Sequence, residues 1–341
     1  MRFAERLKPA HTVLALIILF LIGAMILNPN RYMASVYNGI LIFGTQVLPA
    51  LFPFFFLTKM LSSLGAAEIF GRVLRRPLKL LYNAPPQAGY VFFISAVSGY
   101  PVGARLTSDL AENGIITNAE ANSMASFTST SGPIFIIGAV GAAMFQNRFF
   151  GYLLLIAHLG GALLNGLLYR NKPAASRGTS PACLSPKRSA EPYPEQCKTD
   201  NLLSQIVYDS VISVLLVGGY IALFNMLADV LYDVGVIGFF AAIPAFLFRT
   251  AGAPEQLATG IVMGLFEVVR GCLEISVISG AGRLALPITT GLLSFGGASV
   301  IIQSVTFLGK NKLSAGKFIL MKLTHALFAV ALAIPLSFAI Q

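Results

Sequence analysis

Four stretches of this sequence gather small polar, glycine and charged residues. They are Ser95, Ser98, Gly99, Tyr100, Pro101, Gly103 and Arg105; Thr128, Ser129, Thr130, Ser131, Gly132 and Pro133; Glu267, Arg270 and Gly271; and Ser294, Gly296, Gly297, Ser299 and Gln303. There is no Walker loop, HExxH or GxSxG, so nothing points to an enzyme. Hydroxyls, amides and freed backbone suit reversible binding of a small solute. Exposed N–H groups at helix starts attract anions, and free carbonyls at helix ends attract cations. Cys183, Cys197 and Cys272 form no CxxC pair and have no nearby histidine, so neither a disulfide framework nor a zinc site is expected. No cofactor is implied; Na⁺ or H⁺ could be coupled to binding, and the sequence does not choose.

Each candidate has a plainer reading. Serine, threonine and glycine often serve helix packing in membranes. Arg105 and Asp109 are four apart and suit an ordinary helical ion pair. Glu267, Arg270 and Glu274 could compensate one another, although charges inside a membrane are also functional candidates. His158 and His325 fall in plain apolar spans, where structural hydrogen bonding is the first expectation and a proton relay the second.

The elements that position these residues are membrane helices. The chain has 341 residues, 56% hydrophobic and 11% charged, with mean hydropathy +0.76. Soluble domains carry about 25% charged residues. A polytopic all-α membrane protein follows. Residues 1–35 read as an uncleaved N-terminal anchor with a cytoplasmic N-terminus, and residues 36–61 as a span bent by Pro49 and Pro53. An amphipathic interfacial helix is expected over 66–82, a re-entrant hairpin over 84–113, a helix broken at Thr128–Pro133 over 117–145, and a plain span over 149–169. Residues 170–200 form a proline-rich, basic cytoplasmic linker.

The second half, 201–341, repeats the first half, 36–169. Val36-Tyr37 recurs as Val207-Tyr208, Ala50-Leu51-Phe52 as Ala222-Leu223-Phe224, Gly65 as Gly235, and His158 as His325, at a slowly drifting offset of 167–172. This places a second hairpin at 253–279 and a second broken helix at 284–309. About seven transmembrane helices result, with two re-entrant hairpins in two repeats. Three crossings per repeat force the second to be inverted. On that topology 17 of the 24 Lys and Arg lie in the cytoplasm and four outside, while 234–250 lies along the outer interface. Arg105, Arg270 and Lys322 remain in the membrane region, so any recognition of an anion by side-chain charge falls to them. The formal charge of +10 is thus a topology signal, with no run suited to nucleic acid. The glycine faces GAVGAAMF and HLGGALLNG could pack helices within the chain or across a homo-oligomer.

The motifs SGYPVGARL, ITNAEA, SFTSTSGPIFIIGAVG, GLFEVVRG and LSFGGASVIIQ resemble the YlbJ/SpoVV family of sporulation integral membrane proteins, which carry the nucleoside-recognition Gate domain. The pattern departs at Ser129, Thr130 and Arg270. The resemblance implies a cell or forespore membrane protein of endospore formation, and dipicolinate, an aromatic dicarboxylate, as cargo. A facilitator or secondary transporter of a small anionic carboxylate by alternating access is the resulting expectation. A nucleoside-type transporter and a non-transporting sporulation scaffold are the alternatives.

Overall fold

The computed structural model describes residues 9–171, 202–309 and 313–340. Most of the expected linker, Lys310, Lys312, Cys183 and Cys197 lie outside these residues. Among the described residues the chain is helical throughout, without strands.

The first half opens with α1 (Pro9–Leu27) and α2 (Pro29–Ile42). α2 starts at Pro29, earlier than the expected 36, because a proline in the first helical turn loses no hydrogen bond. A π turn over Phe43–Val47 joins α2 to α3 (Leu48–Ser63). There the Leu48 N–H reaches the Phe43 carbonyl, five residues back, so the register slips just ahead of Pro49, which has no N–H to give. After Gly65, whose φ of 79° is easy for glycine alone, comes the amphipathic α4 (Ala66–Tyr82). Then follow α5 (Ala88–Ser98), α6 (Val102–Glu112), α7 (Asn118–Thr128), a π-helical segment (Phe135–Met144) and α8 (Arg148–Leu168).

The second half runs in the same order. α9 (Leu202–Asp233) is the long span, Gly235 turns the chain at φ 82°, and α10 (Val236–Thr250) follows. Next come α11 (Gln256–Phe266), α12 (Val268–Ser276), α13 (Ala285–Phe295), α14 (Gly297–Leu308) and α15 (Ala315–Ser337). At about 1.5 Å per residue, the 15 residues of α10 fall short of a hydrocarbon core of about 30 Å. They leave Phe239, Phe240, Ile243, Phe246 and Leu247 exposed along one side.

Among the described residues, five stretches are long and apolar enough to cross a membrane: Pro29–Ser63, Arg148–Leu168, Leu202–Asp233, Gly282–Leu308 and Ala315–Ser337. Shorter apolar helices accompany them, among them Ala15–Leu27 and Phe135–Met144. The apolar core lies where α3, α8, α13 and the π-helical segment meet. Both glycine faces are used inside the chain. Gly141 meets the backbone of Gly151, and Gly161 meets the backbone of Ala329 on α15.

The hairpins depend on equally close approaches. A Cβ on Gly271 would strike the Cα of Gly264 across the α11–α12 pair, and one on Gly103 would strike the Thr128 carbonyl and Ser95. Gly271→Ala should therefore destabilise the protein by about 1–3 kcal/mol, as overpacking does. Gly238→Ala, which points into open space on α10, should be neutral or slightly stabilising. Melting temperatures in detergent check both.

Candidate functional site

The first hairpin turns at Gly99 and Tyr100, the latter joined to Pro101 by a cis peptide bond. Gly99 adopts φ 77°, and a side chain there would lie 2.6 Å from the Gly132 nitrogen. The turn is thus seated in the break between α7 and the π-helical segment. Ser95 Oγ donates to the Thr128 carbonyl at the end of α7, which fastens the hairpin to the break. The second hairpin repeats the arrangement. Gly297, at φ 67°, lies against the Gly264 carbonyl, where a Cβ would come within 2.9 Å, so the turn at Glu267 sits against the break between α13 and α14. The buried Glu267 caps α12 by accepting from the Arg270 N–H at 2.6 Å.

His158 links the two breaks. Its Nε2 accepts from the Ser131 N–H at 2.9 Å, so a neutral ring carries its proton on Nδ1, which lies 2.9 Å from Ser294 Oγ. His325 donates through Nε2 to the His158 carbonyl at 2.9 Å, and the two rings pack at 4.9 Å. Lys322, on the same face of α15 as His325, is buried. It donates to the Ser129 carbonyl at 3.0 Å and to the Tyr100 hydroxyl at 2.5 Å. The hydroxyls of Ser129 and Thr130 are buried without a protein partner among the described residues.

A cavity of about 70 Å³ opens beside these turns. Of the residues singled out from sequence, Ser98, Gly99, Tyr100, Ser131, Gly132, Glu267, Ser299 and Gln303 line it. Pro101, Gly103, Thr128, Ser129, Thr130, Gly271, Ser294, Gly296 and Gly297 stand behind the lining, where they shape the turns and breaks. The two arginines are elsewhere. Arg105 is 67% exposed and lies 3.9 Å from Asp109, in the helical pairing that its spacing allowed. Arg270 is held by Glu274 at 2.6 Å, by the Asn225 side-chain oxygen at 2.9 Å and by Asp229 at 3.8 Å, so its charge is spent tying α12 to α9.

Sequence reasoning missed the walls: Leu51 and Phe55 on α3, Phe135, Val217, Tyr220 and Ile221 on α9, and Val268, Val269 and Val300. The only hint lay in the prolines around Phe55 and the glycine pair before Tyr220. No group of three or more His, Cys, Asp or Glu able to hold a metal exists among the described residues.

Residues 45–148 match the family model for nucleoside recognition, the Gate. Over 334 residues the chain is 30% identical to the sporulation integral membrane protein YlbJ of Bacillus subtilis (strain 168), covering 93% of this chain and 80% of that protein. The chain belongs to the YlbJ family. This member of the YlbJ family also shares the fold of a concentrative nucleoside transporter, CNTnw. An outward-facing CNTnw variant superposes with TM-score 0.58 at 14% identity, over 96% of this chain and 88% of that one. The inward-facing, substrate-bound form gives 0.56 at 13% identity, over 96% and 87%. The fold is therefore transporter-like, and the membrane location follows from the family and the apolar helices.

Because His158 serves both breaks, His158→Ala strands a buried N–H and a buried hydroxyl. A loss of at least about 2 kcal/mol is expected, since each unsatisfied group costs about 1–3. Arg270→Gln should lower the melting temperature as well, while leaving solute preference unchanged in a binding assay, because Arg270 is outside the cavity lining.

Proposed function

We propose that this protein is a membrane transporter of a small aromatic carboxylate, with dipicolinate as the cargo in spore formation. The observation that carries the reading is the convergence of two hairpin turns and two helix breaks on one cavity. Phe55, Phe135, Tyr100 and Tyr220 give it faces for a planar ring, and Ser98, Ser131, Ser299 and Gln303 give it hydrogen-bonding groups. The starts of α6 and α14 offer the partial positive charge expected from Arg105 and Arg270, whereas the start of α12 is taken by the Glu267 carboxyl. The sporulation role comes from the relative's name, and it is carried here as part of the proposal.

The mechanism is alternating access between two inverted repeats, 36–169 and 201–341, each with a re-entrant hairpin. The N-terminus and the linker 170–200 face the cytoplasm in this topology. A water needs about 10–15 Å³ of such space. The cavity therefore has room for several waters, and movement of a hairpin would enlarge it for a ring-sized solute. Closed on its contents and opened to either side in turn, it would carry a solute across.

Glu267 favours a second reading. A carboxyl on the cavity accepts hydrogen bonds from sugar hydroxyls, as a nucleoside-type solute would offer. Purified protein in liposomes separates the two. Labelled dipicolinate should enter saturably, excess uridine should not compete, and Gln303→Ala should lower uptake at least about tenfold if it loses a buried charge-assisted hydrogen bond. Uridine entry alone selects the nucleoside reading. Entry of neither leaves the scaffold, in which the hairpins are structural and deletion of 173–198 is the disabling change.

A further inference from the structure

Lys322 is 2% exposed, and among the described residues no carboxylate lies within ion-pair distance of it. An ammonium has three donors. Three acceptors surround this one: the Tyr100 hydroxyl at 2.5 Å, the Ser129 carbonyl at 3.0 Å and His325 Nδ1 at 3.5 Å. The carbonyl has no proton to give. His325 commits its Nε2 proton to the His158 carbonyl, which leaves Nδ1 bare in the neutral ring. The Tyr100 hydroxyl has two places for its own proton, the Leu293 carbonyl at 3.4 Å or the lone pair of a neutral Nζ at 2.5 Å. An ammonium donates to all three, and a neutral amine donates to the carbonyl and the ring nitrogen while accepting from the Tyr100 hydroxyl, so this seat serves both protonation states only while Tyr100 is in place. The Tyr100 ring face, 4.5 Å from Nζ, favours the charged form.

The titratable surroundings are few. Hairpin 1 brings Tyr100, α8 brings His158, and α15 itself brings His325. α13 and α14 contain no titratable residue, and the one on α7, Glu120, is in the first turn, paired with Thr117. Glu267, also on the cavity, is held by the Arg270 N–H.

The acceptors belong to separate parts: the turn of hairpin 1, the break after α7, and α15. Movement of hairpin 1 against α15 takes the Tyr100 oxygen away and leaves a buried ammonium short of a partner, which is costly in an apolar interior. We propose that Lys322 is the coupling site of transport, carrying one proton per cycle, so that a proton gradient drives accumulation and no sodium ion is required. This rests on the transporter reading above. The proton comes from water on the side where solute enters, bonds to the Nζ lone pair, and returns to water on the other side; no other bond changes. The ammonium partly cancels the charge of a bound carboxylate, and the neutral amine lets the empty carrier return.

The test uses full-length protein in liposomes with labelled dipicolinate and, separately, labelled uridine. An inward proton gradient at equal sodium should raise accumulation at least about tenfold, the effect of one pH unit on a one-proton symport. An inward sodium gradient at equal pH should do nothing. Lys322→Met should lose accumulation yet still exchange solute between equal pools at a measurable, reduced rate, which shows it is folded. Tyr100→Phe keeps the lysine and removes one acceptor. It should move half-maximal uptake about one unit toward lower pH, because the ammonium is then harder to form. Sodium-driven accumulation, proton-driven accumulation by Lys322→Met, or an unmoved pH profile in Tyr100→Phe overturns the proposal. Uridine uptake without dipicolinate uptake ends the anion reading, and its response to the proton gradient still decides the role of Lys322. Absence of flux for both solutes overturns the transporter reading and this proposal together.

Discussion

A helix interrupted inside an apolar interior leaves backbone N–H and C=O groups that no lipid can satisfy, and each unpaired group costs several kcal/mol. Much of the arrangement around the cavity answers that constraint. The Ser131 N–H is taken by His158, the Ser129 carbonyl by Lys322, the Thr128 carbonyl by Ser95 and the Arg270 N–H by Glu267. Four helices and one hairpin turn must hold these groups in register at once. The polar side chains of the site are therefore structural and functional together, and the breaks exist only because α8, α15 and the hairpins are packed against them.

Close packing makes those bonds reachable. Gly99 against Gly132 and Gly297 against Gly264 bring each hairpin turn to backbone contact with its break. In both places a side chain would come closer than contact distance to backbone, so the turn or the break would have to shift. The glycine is required by approach distance and by positive φ together, so the same residue that lets the chain turn also lets it be capped. At the turns the hairpins are held by a few short polar contacts and small-residue packing, while their arms are packed into apolar clusters, α5 and α6 with α4 and α7, and α11 with α9 and α10.

How much of this the sequence disclosed follows from how local each signal is. A run such as SGYPVGA or TSTSGP interrupts an apolar stretch by its own composition, so hairpins and breaks were legible within a few residues. The start of α2 at Pro29 and the π turn before Pro49 are equally local, though proline allowed more than one way of absorbing its missing donor. The partner that closes a break is not local. His158 and Lys322 sit in helices that otherwise read as plain spans, 27 residues or more from the groups they serve. Only the matching offset of His158 and His325 hinted that the two rings would meet. The walls were the least legible, because Phe55 and Tyr220 look in sequence like any aromatic residue facing lipid.

The three basic residues left in the membrane region show why charge alone could not locate the site. Arg105 has solvent and Asp109, and Arg270 has Glu274, Asp229 and Asn225, so both guanidiniums are neutralised where they stand. A planar, always charged group needs that company, and its five donors bind it to a fixed place. An amine is different: it can lose its proton, and its three donors can be served by neutral oxygen and nitrogen. That is the company Lys322 keeps. A residue that must sit beside a moving hairpin, without a carboxylate to lock it there, is better made from lysine than from arginine. The contrast is therefore a division of roles, in which Arg270 holds α12 to α9, Arg105 stays in an exposed pair within α6, and the lysine is left able to change state.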